Sequence, residues 1–230
     1  MERKYSWITA LFGVLALVSL SGFLQTYLVH FPTFESIPPG VHMHFVLFLL
    51  WIAMILYQPT LIKKRKLARH KSIGKLSYLL VPLMLVTIWM MIFHVIQKYG
   101  NVDEEKVMIS TTGSLLDSLS FTICYLISMR NKSKTPVHVA FLIGACLIVF
   151  NPGIGRLIAQ SVSNDLAILV MILLPILIPL GILLYEKIRL GRKALKSPYL
   201  LFMLIWVIEV LAFILLPQQT FWRDFVKSLT

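Results

Sequence analysis

Val41-His42-Met43-His44-Phe45-Val46-Leu47-Phe48-Leu49-Leu50-Trp51-Ile52-Ala53-Met54-Ile55-Leu56-Tyr57-Gln58-Pro59-Thr60-Leu61-Ile62, followed at once by Lys63-Lys64-Arg65-Lys66, is an apolar run stopped by a block of positive charge. At about 1.5 Å of rise per residue, such a run is long enough to cross the roughly 30 Å hydrocarbon core of a bilayer. It lacks the alternation of a barrel strand, so its backbone groups must be satisfied within a helix. The basic block that ends it belongs on the cytoplasmic side, where Lys and Arg accumulate in membrane proteins.

The whole chain shares this character. Of its 230 residues 58% are hydrophobic and 14% charged, too apolar for a water-soluble domain. The net charge of +12 invites comparison with nucleic-acid-binding proteins, but 17 of the 22 basic residues fall on alternating connections: Arg3 and Lys4, Lys63 to Lys75, Arg130 to Lys134 and Lys187 to Lys196. Such a division marks topology and contact with anionic lipid headgroups, not nucleic acid. Cys124 and Cys146 lie inside apolar runs without metal-type spacing, so neither a disulfide framework nor a zinc motif is indicated.

Reading outward from helix 2 gives an all-α integral membrane bundle of about seven transmembrane helices in a single domain spanning 1–230, N-terminus cytoplasmic and C-terminus outside. Multi-pass placement in a bacterial inner membrane is the expected setting. The first helix covers about residues 5 to 28 and is retained, not cleaved as a signal peptide. A connection from Pro32 to Gly40 without basic residues lies outside. Helix 2 runs inward from Val41 to Ile62, helix 3 outward from near Gly74 to Gln97, and helix 4 inward from about Ile109 to Met129. Helix 5 starts at Pro136, a tolerated first-turn proline, and extends to about Ala159. Helix 6 starts near Asn164-Asp165 and reaches Ile188 with Pro175 and Pro179 inside it, where a kink is expected. Helix 7 opens with Ser197-Pro198 and ends near Pro217; Gln218 to Thr230 reads as an amphipathic segment on the outer surface. Helices 2 and 3 weakly echo helices 4 and 5, each pair placing a histidine, His70 or His138, near the start of its outward span. Such repeats occur in transporters.

Ionisable side chains in lipid are costly and face a protein interior, so His44, His94, Asp117, His138, Arg156 and Glu209 mark functional or structural pairing. By helix rise, His44 and His94 each lie roughly 5 Å below the outer ends of their helices, and Asp117 and Glu209 roughly 12 Å deep. With Arg156 at the outer end of helix 5, these groups converge on the outer half. His44, Trp51 and Gln58 recur every seven residues, and Ser110, Ser114, Asp117, Cys124 and Ser128 form one stripe on helix 4.

His44 and His94, two imidazoles at one depth, are candidate ligands of a b-type haem or a metal, with Arg156 beside a propionate. The alternative is a pair of interfacial histidines held by hydrogen bonds. Asp117 and Glu209 read as a proton relay or as partners of Arg156. Asn151 and Gln58 accompany them as polar pocket residues. Asn151-Pro152-Gly153-Ile154-Gly155-Arg156 is expected to break helix 5 at a pocket mouth. His42 and His30 are placed in the headgroup region, as are His70 and His138 unless they form a second, inner site.

His44, Trp51, Gln58-Pro59 and the loop His70-Lys71-Ser72-Ile73-Gly74, with Thr135-Pro136-Val137-His138, Pro152 and Arg156 later, resemble a group of uncharacterised bacterial polytopic membrane proteins. In that group an outer histidine, a tryptophan and a glutamine precede a His-Arg-x-x-Gly loop. The resemblance covers helices 2 to 5; Val139 and Ala140 stand where that group carries basic residues. More distantly, the histidines at the starts of helices 3 and 5 look like those of two-haem transmembrane b-type cytochromes. Helix 4 has no histidine, so that resemblance implies at most one haem. No nucleophile elbow, phosphate-binding glycine loop or His-Glu-x-x-His helix is present. Two functional classes remain: a haem- or metal-binding redox protein with an outward-facing site, and a transporter or ligand sensor lined by Asp117, Glu209 and Arg156.

Overall fold

Each apolar run becomes a helix in the computed structural model, which describes residues 6–35, 37–100 and 102–229, the side chains of 6–8 excepted. In chain order these are α1 (Ser6–Thr26), α2 (Pro39–Lys63), α3 (Leu67–Lys75), α4 (Ser77–Tyr99), α5 (Glu104–Arg130), α6 (Thr135–Ser161), α7 (Asn164–Leu190), α8 (Pro198–Leu215) and α9 (Thr220–Lys227). Seven spans are long and apolar enough to cross a membrane, α3 and α4 together forming one of them. The chain is an integral, multi-pass membrane protein. Arg3, Lys4, the first residue of the helix expected from 5, and Thr230 lie outside the described residues.

Local chemistry sets the boundaries. Ser163 caps α7, its hydroxyl accepting from the Leu166 amide at 3.2 Å, and Gly191 ends it at φ +63°, where a side chain would strain the backbone. Asp103 caps α5 by accepting from the Lys106 amide at 2.9 Å. Two expectations are corrected. The basic connection after α2 is not a plain loop, because Leu67–Lys75, rich in good helix formers, makes the exposed helix α3. Nor is α6 broken at Pro152; it continues to Ser161.

Its glycines explain the second correction. A Cβ on Gly153 would lie 2.2 Å from Ser19 Oγ, one on Gly22 1.9 Å from the Gly153 carbonyl oxygen, and one on Gly155 2.2 Å from Met171 Sδ. Gly22, Gly153 and Gly155 therefore let α6 approach α1 and α7 closely, which is how membrane helices associate without a hydrophobic driving force. The central helix of the bundle is α6, packed on α1, α5, α7 and α8, with 67% of its spanning window buried.

By contrast, α2 packs on α4 and touches α1, but its backbone does not approach α5 or α6. Aromatic side chains bridge the gap. Trp51, fully buried, meets the rings of Phe121 and Tyr125 on α5 edge-on at 5.4 and 6.3 Å, and Phe48 lies 5.0 Å from the Phe23 ring of α1. The space left between the α2–α4 pair, α1, α5 and α6 holds the cavity described below.

Candidate functional site

At the end of the bundle away from the basic connections, a cavity of about 400 Å³ opens among α1, α2, α4, α5 and α6. His30, Ile37, Pro38 and Lys98 stand at its mouth; His44, His94, Ser114, Asp117 and Arg156 line its walls; Phe48, Met84 and Phe121 lie deepest. From Pro39 to Phe48 is about 14 Å of helix, so the cavity penetrates well into the span. Its size falls within the range of small-molecule sites, about 300–1,000 Å³.

His44 is oriented by its neighbour. Its Nδ1 lies 2.9 Å from Thr87 Oγ1, and the Thr87 hydroxyl itself donates to the Met84 carbonyl at 2.8 Å. With its one proton committed, Thr87 accepts from His44 Nδ1–H, which leaves the lone pair on Nε2. A threonine on α4 thus orients the imidazole, while the carboxyls of Asp117 and Glu209 interact with each other.

Arg156 lines the same cavity and lies 4.8 Å from the Phe23 ring centroid, guanidinium over the face. It forms no ion pair among the described residues, so of the two alternatives for Asp117 and Glu209 the bridge to Arg156 is absent. The Asp117 and Glu209 side chains interact directly across α5 and α8, with the Ser120 hydroxyl beside Glu209. Asp117 faces the cavity. Glu209 stands behind it, 7% exposed, with Oε2 buried and without a hydrogen-bond partner.

Four sequence-derived candidates, His44, His94, Asp117 and Arg156, thus share one cavity, and Glu209 adjoins it. Asn151 does not line it: its amide donates to the Met171 carbonyl on α7 at 2.9 Å, a structural role imposed by Pro175. Gln58 is also elsewhere. Its amide donates to the His70 carbonyl at 3.3 Å near the basic end. There His138 and Ser128 clasp α5 to α6, His138 Nδ1 lying 3.0 Å from the Ser128 carbonyl and the Ser128 hydroxyl donating to the His138 carbonyl at 2.9 Å.

Some participants escaped the sequence reading. Lys98 follows His94 by one helical turn and so shares its face. Phe23 on α1 and Tyr27 just past its end follow the same spacing, in a mostly apolar run that does not show which face is interior. Of the two histidines expected in the headgroup region, His30 borders the cavity mouth, and His42 meets the Tyr27 hydroxyl and packs edge-on to Phe34 at 5.2 Å.

Comparison with known protein families, curated proteins and solved structures finds no match. Among the described residues no group of three or more His, Cys, Asp or Glu side chains is arranged to hold a metal ion. The nitrogen and carboxylate donors lining the cavity are the imidazoles of His30, His44 and His94 and the carboxyl of Asp117, interleaved with Arg156 and Lys98. Such a wall favours negative charge.

Proposed function

We propose that the chain is a membrane transporter for small organic anions, with an apolar body and one carboxylate- or phosphate-like group, taken up in the cavity between α2 and α6. The observation that carries this reading is Arg156: a guanidinium on the cavity wall with no carboxylate partner among the described residues. Arg156 is exposed and faces the cavity within two helical turns of the end of α6, so its guanidinium is free to receive an anionic ligand there. Lys98 and His30 at the mouth would draw anions inward, while Phe45, Phe48 and Phe121 receive the apolar body. The orientation follows from charge: the basic connections face the cytoplasm and its anionic headgroups, so the mouth opens outward. Placement in a bacterial inner membrane belongs to the same reading.

Isothermal titration of the purified protein in lipid nanodiscs with benzoate, an aromatic monocarboxylate, tests it. Wild type binds benzoate and not benzylamine, and Arg156→Gln loses at least tenfold in affinity. Equal binding of both compounds, or an unaffected Arg156→Gln variant, would overturn it.

One observation favours a second reading. The Nε2 lone pair of His44 and the His94 imidazole border one cavity, a donor set that fits a b-type haem or another nitrogen-ligated group. His44 and His94 would hold such a group, which would supply electron-transfer chemistry, and Arg156 would pair with its carboxylates. A visible absorption spectrum of the protein purified under mild conditions separates the two readings: a Soret band lost in both His44→Ala and His94→Ala supports the haem, and a colourless protein that binds benzoate supports the anion.

A further inference from the structure

We propose that Asp117 and Glu209 together form a proton-binding site that exchanges its proton with the cavity and couples it to the bound anion. The coupling rests on the anion reading of the cavity; the proton site itself does not.

The two carboxyls come from different helices, α5 and α8, and interact directly. Among the described residues no cation pairs with them: Arg156 forms no ion pair with either, and the other partner of Glu209 is the neutral Ser120 hydroxyl. Glu209 is buried, and Oε2 lacks any hydrogen-bond partner. Two adjacent carboxylates, one of them buried, repel too strongly for both to be ionised, so the stable state of the pair holds one proton between them. Asp117 also lines the cavity, which gives that proton a route. A proton arriving from cavity water binds one carboxylate oxygen of the pair, leaving a water molecule behind, and departs by the reverse step; no bond other than O–H changes and nothing is oxidised.

Charged and titratable groups toward this region are His44 on α2, His94 and Lys98 on α4, Cys124 beside Glu209 on α5, and Arg156 on α6. Tyr27 and His30 border the same cavity; among the described residues lining it, apart from the pair, none is acidic, so a bound anion brings the new negative charge that the pair meets. An anion seated at Arg156 strengthens proton binding by the pair, and a bound proton strengthens anion binding by the same factor. Such reciprocity is what proton-coupled anion uptake requires.

Infrared spectroscopy of the wild-type protein in lipid nanodiscs tests the proton site without any ligand. A carboxylic-acid C=O band is expected at neutral pH, shifting in D₂O and declining as pH rises; Asp117→Asn and Glu209→Gln each abolish that titration. A spectrum with no protonated carboxyl at neutral pH, a band that does not shift in D₂O, or one that titrates unchanged in both variants overturns the proposal. Because the wild-type titration needs no variant, a substitution that fails to fold does not remove the test. Coupling is read separately as proton uptake on adding benzoate in weak buffer, present in wild type and lost in Glu209→Gln. If the carboxyl band behaves as stated but benzoate does not bind, the proton site stands and the anion reading falls.

Discussion

Asn151 on α6 donates its side-chain amide, at 2.9 Å, to the carbonyl of Met171 on α7, the carbonyl that Pro175 leaves without its helical donor four residues on. Nearby, the Trp206 indole of α8 donates to the Ile172 carbonyl at 2.9 Å. Pro175 is thus tolerated because Asn151 of a neighbouring helix supplies the donor it removes, while Trp206 adds a second tie between α7 and α8.

Asn151→Ala should destabilise the protein by about 1 kcal/mol, the usual scale for a hydrogen bond between membrane helices. Pro175→Ala, which restores an N–H to Met171, should shrink that loss in the double variant. Unfolding in mixed detergent measures both, and a loss unchanged by the second substitution would contradict the pairing.

Glycine positions divide sharply. Gly22→Ala should severely impair folding, since its Cβ would lie 1.9 Å from the Gly153 carbonyl oxygen, whereas Gly181→Ala, with nothing within 4 Å, should be neutral or slightly stabilising. Yield of monodisperse protein and thermal unfolding temperature compare the two directly.

Thr87→Val keeps the volume of the side chain but removes the acceptor for His44 Nδ1–H. The imidazole then loses its fixed tautomer and orientation, and benzoate affinity should fall several-fold, on the scale of about 1 kcal/mol for one hydrogen bond. Thr87→Ser, which keeps the hydroxyl, should bind as wild type does. Titration calorimetry distinguishes the pair, and equal affinity of Thr87→Val and wild type would show that His44 needs no such anchor.

Orientation is open to a simple assay. A fluorescent protein fused after the last residue, one that folds only in the cytoplasm, should be dark, and a periplasmic phosphatase fused there should be active. The opposite pattern would place the basic connections outside, against the charge distribution of the sequence.

Much of the architecture was legible because span length and charge division are coarse properties that depend on many residues at once. Depth along a helix was equally readable, since rise per residue is constant, and it put His44, His94, Asp117 and Arg156 toward one end. Rotation about each helix axis was less accessible. In α1 and α7 almost every position is apolar, so no polar stripe shows which face is interior, and Phe23 and Tyr27 went unnoticed. Asn151 and Gln58 were grouped with the pocket on polarity alone. What takes them elsewhere is the local backbone: a carbonyl orphaned by Pro175 in the first case, and the His70 carbonyl presented by the short helix α3 in the second. Small residues mislead in a related way, because Gly153 and Gly155 beside Pro152 resemble a helix terminus when their role is close approach.

The aromatic bridge between α2 and its neighbours gives the site a particular mechanical character. Elsewhere in the bundle, helices meet backbone against backbone, and separating them would expose main-chain surfaces fitted to each other through Gly22 and Gly153. Around the cavity the wall between α2 and α5 is made of rings on single-bond hinges. A partition of that kind is held by the fit of buried rings to one another, so trimming one ring would enlarge the cavity while leaving the glycine-fitted helix contacts in place.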